Sequence, residues 1–268
     1  MRFSGTQTWG WQNAMIGMRL PFSKNYEDAQ KKSDTIMLPT EQGLQPQIGV
    51  EDMRILKNLI KADKIGAVGQ PNSKVMRMIH VQVAIEAPLC WWKEMDTYKV
   101  ATVANSTSTM HRIQTYPIDE DCFEKNPFTG KVSGLVHIME LEDKRCEFND
   151  MTEAVKKLAE ELQKCPNDTE LEKTLETLRK EKKSVWYDLI YGLGDSWLQT
   201  RMFDLNYQSI REMVYWRKNH IQNCWSGKDN DKMDNFIAWA KTLPYSELLE
   251  DDCGSKVIPS TSKREVVV

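Results

Sequence analysis

Apolar residues recur at helical spacing over several stretches of the chain and alternate over one. Residues 1–47 open with a short strand or turn, followed by a helix near Trp11–Arg19. The rest of that segment, rich in Gln, Gly, Pro and Ser, reads as a long irregular loop. Met53, Leu56 and Ile60 predict a helix over 49–64, with Glu51 and Asp52 in the first turn where the helix dipole favours acids. Gly66, Gly69, Pro71 and Asn72 then mark a loop. Ile79, Val81, Val83 and Ile85 share one face of a strand over 79–86. Trp91, Met95, Tyr98 and Thr102 predict a helix over 88–102, and the hydroxyl-rich run 103–112 reads as a polar loop.

Further on, Met151, Val155, Leu158 and Leu162 make one helical stripe, and Leu171, Leu175 and Leu178 the next. Between them, Thr169 and Glu172 fit a capping box, so 151–190 reads as a helical hairpin with a solvated Lys/Glu face. Asn206, Ile210, Met213 and Arg217 share a face of a helix over 206–219. At 1.5 Å per residue, Asn206 and Arg217 stand about 16 Å apart along it. A last helix covers about 231–242, with Met233, Phe236, Ile237 and Ala240 inward, and stops at Pro244.

The chain has 268 residues, a formal net charge of −3 and a sequence pI near 5.9. That balance argues against a protein that coats polymeric nucleic acid, which needs a basic footprint. It leaves room for a basic pocket for one small anion. No apolar run approaches the roughly 18–20 residues that span a membrane. Six scattered cysteines, none at C-x-x-C spacing, and four unclustered histidines argue against zinc. No nucleophile elbow, P-loop or dinucleotide fingerprint is found. If the chain is an enzyme, a cofactor supplies the difficult step.

One resemblance goes further. The run E-A-P-L-C-W-W-K-E-M-D-T-Y-K-V-A-T, ending at Thr102, resembles the centre of the flavin-dependent thymidylate synthases (ThyX), where an Ala-Pro step is followed by a helix carrying R-H-R-x-x-S. Aligned from Ala87-Pro88, that motif falls on Thr97, Tyr98, Lys99, Val100, Ala101 and Thr102. Leu193, Asn206, Ser209 and Arg217 match the family's late L-P, N-x-x-S and Arg positions, and Arg19 an early Arg. The three matches stand in the family's order and cover most of the chain apart from 23–47 and 113–150. The chain also resembles phage-encoded relatives of ThyX.

The departures are specific. The motif's arginines and histidine become Thr97, Tyr98 and Lys99, and Arg-to-Lys gives up bidentate recognition. The motif Ser becomes Thr102. The family's Ser-Gly-Arg phosphate contacts fall on Thr107, Ser108 and Thr109, another nucleotide-binding Arg on Ile190, and a flavin-contacting His on Asn72. Lys74, Arg77, Lys93 and Arg112 could compensate. The resemblance assigns Lys93, Glu94, Lys99, Thr102, Asn105, Thr107, Ser108 and Arg217 to nucleotide binding, and Arg19, Asn72, Lys74, Thr97, Tyr98, Lys99 and Asn206 to the cofactor. Trp91 and Trp92 read as core, and His111 and His220 as structural.

What the resemblance implies is an α+β, ThyX-like fold with an antiparallel or mixed sheet flanked by long helices. One domain would cover 1–250, with a mobile tail at 251–268. The implied activity is flavin-dependent transfer of a one-carbon unit to carbon 5 of a pyrimidine deoxynucleotide, as from dUMP to dTMP. FAD would be the cofactor, with NADPH and methylene-tetrahydrofolate as co-substrates and no metal. The protein would be a cytoplasmic homotetramer, in the host cytoplasm if phage-encoded, with no membrane or polymeric nucleic-acid partner. The alternative is a non-catalytic nucleotide-binding homologue that has lost flavin chemistry.

Overall fold

The structure, a computed structural model, describes residues 1–40, 43–63, 71–98 and 100–250. It is α+β, with a small sheet and long helices, the class expected. Strand β1 (Arg2–Trp9) passes into helix α1 (Trp11–Arg19) through Gly10, at φ +86°. A Cβ at Gly10 would lie 2.1 Å from the Met78 carbonyl oxygen, so this turn takes only glycine. Helix α1 buries Trp11, Ala14, Met15, Ile16 and Met18.

The loop expected up to residue 47 is instead ordered. It holds helix α2 (Tyr26–Lys32) and a hairpin of β2 (Ile36–Thr40) and β3 (Gly43–Gln47). Asn25 caps α2 by accepting the Asp28 N–H. The hairpin is antiparallel and forms its own two-stranded sheet, and Met37 opposes Pro46 in its register. Pro39 and Pro46 hide these strands from a propensity reading, because proline is confined to edges and a two-stranded sheet is all edge.

Helix α3 (Val50–Ala62) buries the predicted stripe of Met53, Leu56 and Ile60. Most of the loop expected at 66–72 lies outside the described residues. Strand β4 (His80–Pro88) alternates as far as Ala87, with Val81, Val83, Ile85 and Ala87 buried.

Helix α4 (Leu89–Met95) is shorter than the predicted 88–102. Asp96 is bound by Arg201, whose Nη1 donates to its carboxylate at 2.8 Å. The Thr97 hydroxyl folds back onto the Glu94 carbonyl at 2.7 Å. The Trp91-Met95 stripe therefore ends where Asp96 finds a partner outside the helix and Thr97 folds back onto its last turn. The run read as a polar loop holds β5 (Val103–Ser106) and a single-turn helix α5 (Thr109–Arg112). Thr107 donates its N–H to the Thr200 carbonyl at 2.9 Å, a partner far along the chain that the local sequence does not announce.

The helical hairpin is longer than 151–190, with α6 at Leu135–Lys164 and α7 at Thr169–Gly192. Its cap is Asp168 rather than Thr169, since the Asp168 carboxylate accepts the N–H groups of Glu170 and Leu171. Strand β6 (Leu198–Asn206) is an addition that the sequence pattern did not show. Helix α8 (Tyr207–Arg217) follows directly, then α9 (Asn223–Ser226) and α10 (Phe236–Ala240). The last helix is shorter than expected because Asn235 starts it, accepting the Ala238 N–H at 2.8 Å. The expected tail at 251–268 lies outside the described residues.

The main sheet has the order β1-β4-β6-β5. The chain gathers into two compact units. The first comprises Met1–Arg2, Ile85–Thr97 and Asn105–Arg201; the second comprises the described residues of Phe3–Ala84, Tyr98–Ala104 and 202–250. The first has a core of Ile113, Ile118, Phe123, Val132, Ile138, Leu141 and Leu189, with Trp197 edge-on to Phe123. In the second, Trp11, Tyr207, Ile210, Met213, Trp225 and Phe236 are wholly buried. Trp91 and Trp92 are buried, as core residues should be. Among the described residues, no helix is long and apolar enough to cross a membrane, and no cluster of three or more His, Cys, Asp or Glu side chains could hold a metal.

Candidate functional site

The sequence-assigned residues that meet around one element are those on and beside α8, in the second unit. Asn206 ends β6 and caps α8. Its Oδ1 accepts the Ser209 N–H at 2.9 Å, and its Nδ2 donates to the Ala101 carbonyl at 3.4 Å. The Ser209 hydroxyl lies 3.1 Å from both the Val100 carbonyl and Asn206 Oδ1, with one proton to share between them. Val100 and Ala101 are thus strapped to the start of α8. Ala101 takes a left-handed conformation at φ 53° to make this possible, an uncommon geometry for a residue with a Cβ. Thr102 closes the strap by donating its hydroxyl to the Tyr98 carbonyl at 2.8 Å.

At the far end of α8, half-buried Arg217 donates Nε to the Tyr98 hydroxyl at 3.0 Å. Its guanidinium carbon lies 5.6 Å from the Tyr98 ring centroid and 5.0 Å from that of Trp225. His220 and Phe236 stand edge-on to Trp225 at 6.3 and 5.2 Å. The arrangement holds a cation against aromatic faces, which strengthens its hold on an anion by limiting the freedom it must lose. A planar guanidinium beside a hydroxyl suits phosphate or carboxylate, and the half-buried Tyr98 ring suits a planar base.

Other assigned residues of this unit are engaged elsewhere. Arg19 Nε donates to Asp52 at 2.7 Å. Asn72 donates to Asp63 at 2.9 Å, beside Ser73, which gives both its N–H and its hydroxyl to the same carboxylate. Burial raises the Asp63 pKa, but these donors outweigh it and hold the carboxyl below its ordinary value. Lys74 is exposed. Lys99 lies outside the described residues.

The remainder fall in the first unit. Lys93 pairs with Asp195, and Thr97 bonds to the Glu94 carbonyl. Asn105 is exposed on β5. The Thr107 hydroxyl reaches the Thr200 carbonyl at 3.3 Å, and Ser108 caps α5 by accepting the His111 N–H. Sequence reasoning did not place Trp225 in the site. Its only signal was the density of aromatics around α8.

A flavin would draw on Arg19, Asn72, Lys74, Thr97, Tyr98, Lys99 and Asn206. Of the described ones, Arg19, Asn72, Thr97, Tyr98 and Asn206 are each bonded within the protein. These residues do not form a ready cradle for that group.

No family model matches the chain, and no curated protein matches it. Among solved structures, ThyX of Helicobacter pylori complexed with FAD and dUMP is similar at 13% identity and a TM-score of 0.48, covering 94% of this chain and 99% of that one. A second structure of the same enzyme with FAD and dUMP gives 13% and 0.47, over 95% and 100% of the two chains. PolB of Streptomyces cacaoi, a UMP/dUMP methylase bound with 5-Br dUMP, gives 10% and 0.40, over 94% and 95%.

Proposed function

We propose that this chain binds a pyrimidine deoxynucleotide of the dUMP kind, with the phosphate held by Arg217. The observation that carries the reading is the placement of Arg217 against Tyr98 and Trp225, at the end of the helix whose start is capped by Asn206. A guanidinium offers a phosphate two parallel donors, and the half-buried Tyr98 ring beside it offers a base a face to lie on. The sequence resemblance adds the reaction: transfer of a one-carbon unit to carbon 5 of that nucleotide, in a homotetramer, with FAD, NADPH and methylene-tetrahydrofolate. Titration calorimetry with dUMP tests the binding. Arg217→Ala should weaken it by about 2 kcal/mol, the cost of losing a hydrogen-bonded charge. Equal affinity of the two proteins would sink the assignment.

A second reading, nucleotide binding without flavin chemistry, is favoured by one observation. Arg19, Asn72 and Asn206 are spent on Asp52, Asp63 and the α8 cap. The visible spectrum after FAD loading and desalting separates the two. A retained flavin band supports the enzyme, and a colourless protein that still binds dUMP supports the binder.

A further inference from the structure

The Tyr98 hydroxyl occupies the Nε donor of Arg217, while the Tyr98 backbone is fastened separately, its carbonyl accepting the Thr102 hydroxyl. Ala101 and Val100 are held through their carbonyl oxygens by Asn206 and Ser209, and Ala101 is in the strained left-handed region. The Tyr98 side chain is half-buried, and it can turn away from Arg217 without breaking the backbone bonds of Tyr98, Val100 or Ala101.

We propose that Tyr98 is a latch on Arg217. Its hydroxyl oxygen fills the place of an anion oxygen, and an incoming phosphate takes over the Nε donor as the Tyr98 side chain turns aside. This rests on the reading of Arg217 as the phosphate grip. The latch gives one guanidinium donor an acceptor in the empty protein. It also reduces apparent affinity by the fraction of molecules in which the latch is open. Tyr98 is on this account a positioning residue, and its effect depends on the ligand carrying an anion.

The test compares wild type with Tyr98→Phe in calorimetric titrations of dUMP, of deoxyuridine, which lacks the phosphate, and of inorganic phosphate. The ring stays in Tyr98→Phe and only the hydroxyl is lost. The expected result is dUMP and phosphate affinity raised about fivefold, the worth of one net hydrogen bond, with deoxyuridine unchanged. Dependence of dUMP binding on Arg217 without any gain in Tyr98→Phe would overturn the latch and leave the nucleotide reading standing. A gain for phosphate without dUMP binding to either protein would support the latch and remove the nucleotide reading. No binding of any probe to either protein would remove both. Should Tyr98→Phe not fold, wild type with tyrosine labelled at the ring carbon that bears the hydroxyl gives a second reading. The Tyr98 resonance should move on adding phosphate, and a fixed resonance at saturating phosphate would overturn the latch.

Discussion

Arg19 donates Nε to Oδ1 of Asp52 at 2.7 Å, and Asp52 is wholly buried. The other oxygen of that carboxylate accepts from the Ser33 hydroxyl, the Asp34 N–H and the Thr35 hydroxyl. One carboxylate therefore ties the end of α1, the segment after α2 and the first turn of α3. Removing it strands four donors. Asp52→Ala should lose about 3–5 kcal/mol of stability, the range for breaking a buried pair from one side. Urea unfolding measures this, and a loss below about 1 kcal/mol would refute the anchoring role.

The cap of α8 gives a second expectation. Asn206 satisfies the Ser209 N–H and holds the Ala101 carbonyl. Asn206→Ala should cost about 1–2 kcal/mol. Asn206→Asp keeps the cap acceptor but loses the donor to Ala101, so it should retain more stability while loosening the strap. Hydrogen exchange at 98–102 reads the second effect directly.

Acid should weaken the second unit at two carboxylates. Burial raises the pKa of Asp34, but the Glu51 and Asp52 N–H groups at the start of α3 outweigh it and hold the carboxyl below its ordinary value. Asp63 is lowered in the same way by Ser73 and Asn72. A carboxyl depressed on folding contributes stability that is complete above its unfolded value, about pH 4, and is lost as pH falls through its folded value. The denaturation midpoint should be insensitive to these two groups near neutrality and fall below about pH 4. Asp63→Asn should flatten that fall, and an identical acid limb in the variant would count against the assignment.

Ala101 offers a stabilising substitution. At φ 53° its Cβ costs about 1–2 kcal/mol that glycine does not incur, offset by the greater freedom of glycine in the unfolded chain. Ala101→Gly should raise the melting temperature slightly or leave it unchanged. A marked drop would mean that the left-handed turn is not what the strap needs.

Much of the site could be read from the chain, though not its partnerships. Asn206, Ser209 and Arg217 were singled out by spacing and resemblance, and they do lie along α8. Their bonding partners could not be foreseen. Tyr98 reaches Arg217 from far along the chain, and Trp225 arrives by a turn after α8. The stripe of Trp91, Met95, Tyr98 and Thr102 fits helix spacing throughout, yet the helix ends at Met95. Local spacing favours neither outcome once Asp96 and Tyr98 can bond to arginines brought in from the distant β6 and α8.

The sequence by itself determined the elements whose own apolar pattern decides them: α1, α3, β4, α8 and the existence of the α6–α7 hairpin. Each carries a stripe or an alternation strong enough to be buried whatever surrounds it. Tertiary structure decided the rest. Strands β5 and β6 exist because a sheet supplies their hydrogen bonds, and β2 and β3 because they supply each other's. The end of α4 was set by what bonds there. A helix closes its hydrogen bonds within its own segment, so its signal is local. A strand, and a charged side chain that is half-buried, must find partners elsewhere, and only the folded chain determines which ones they meet.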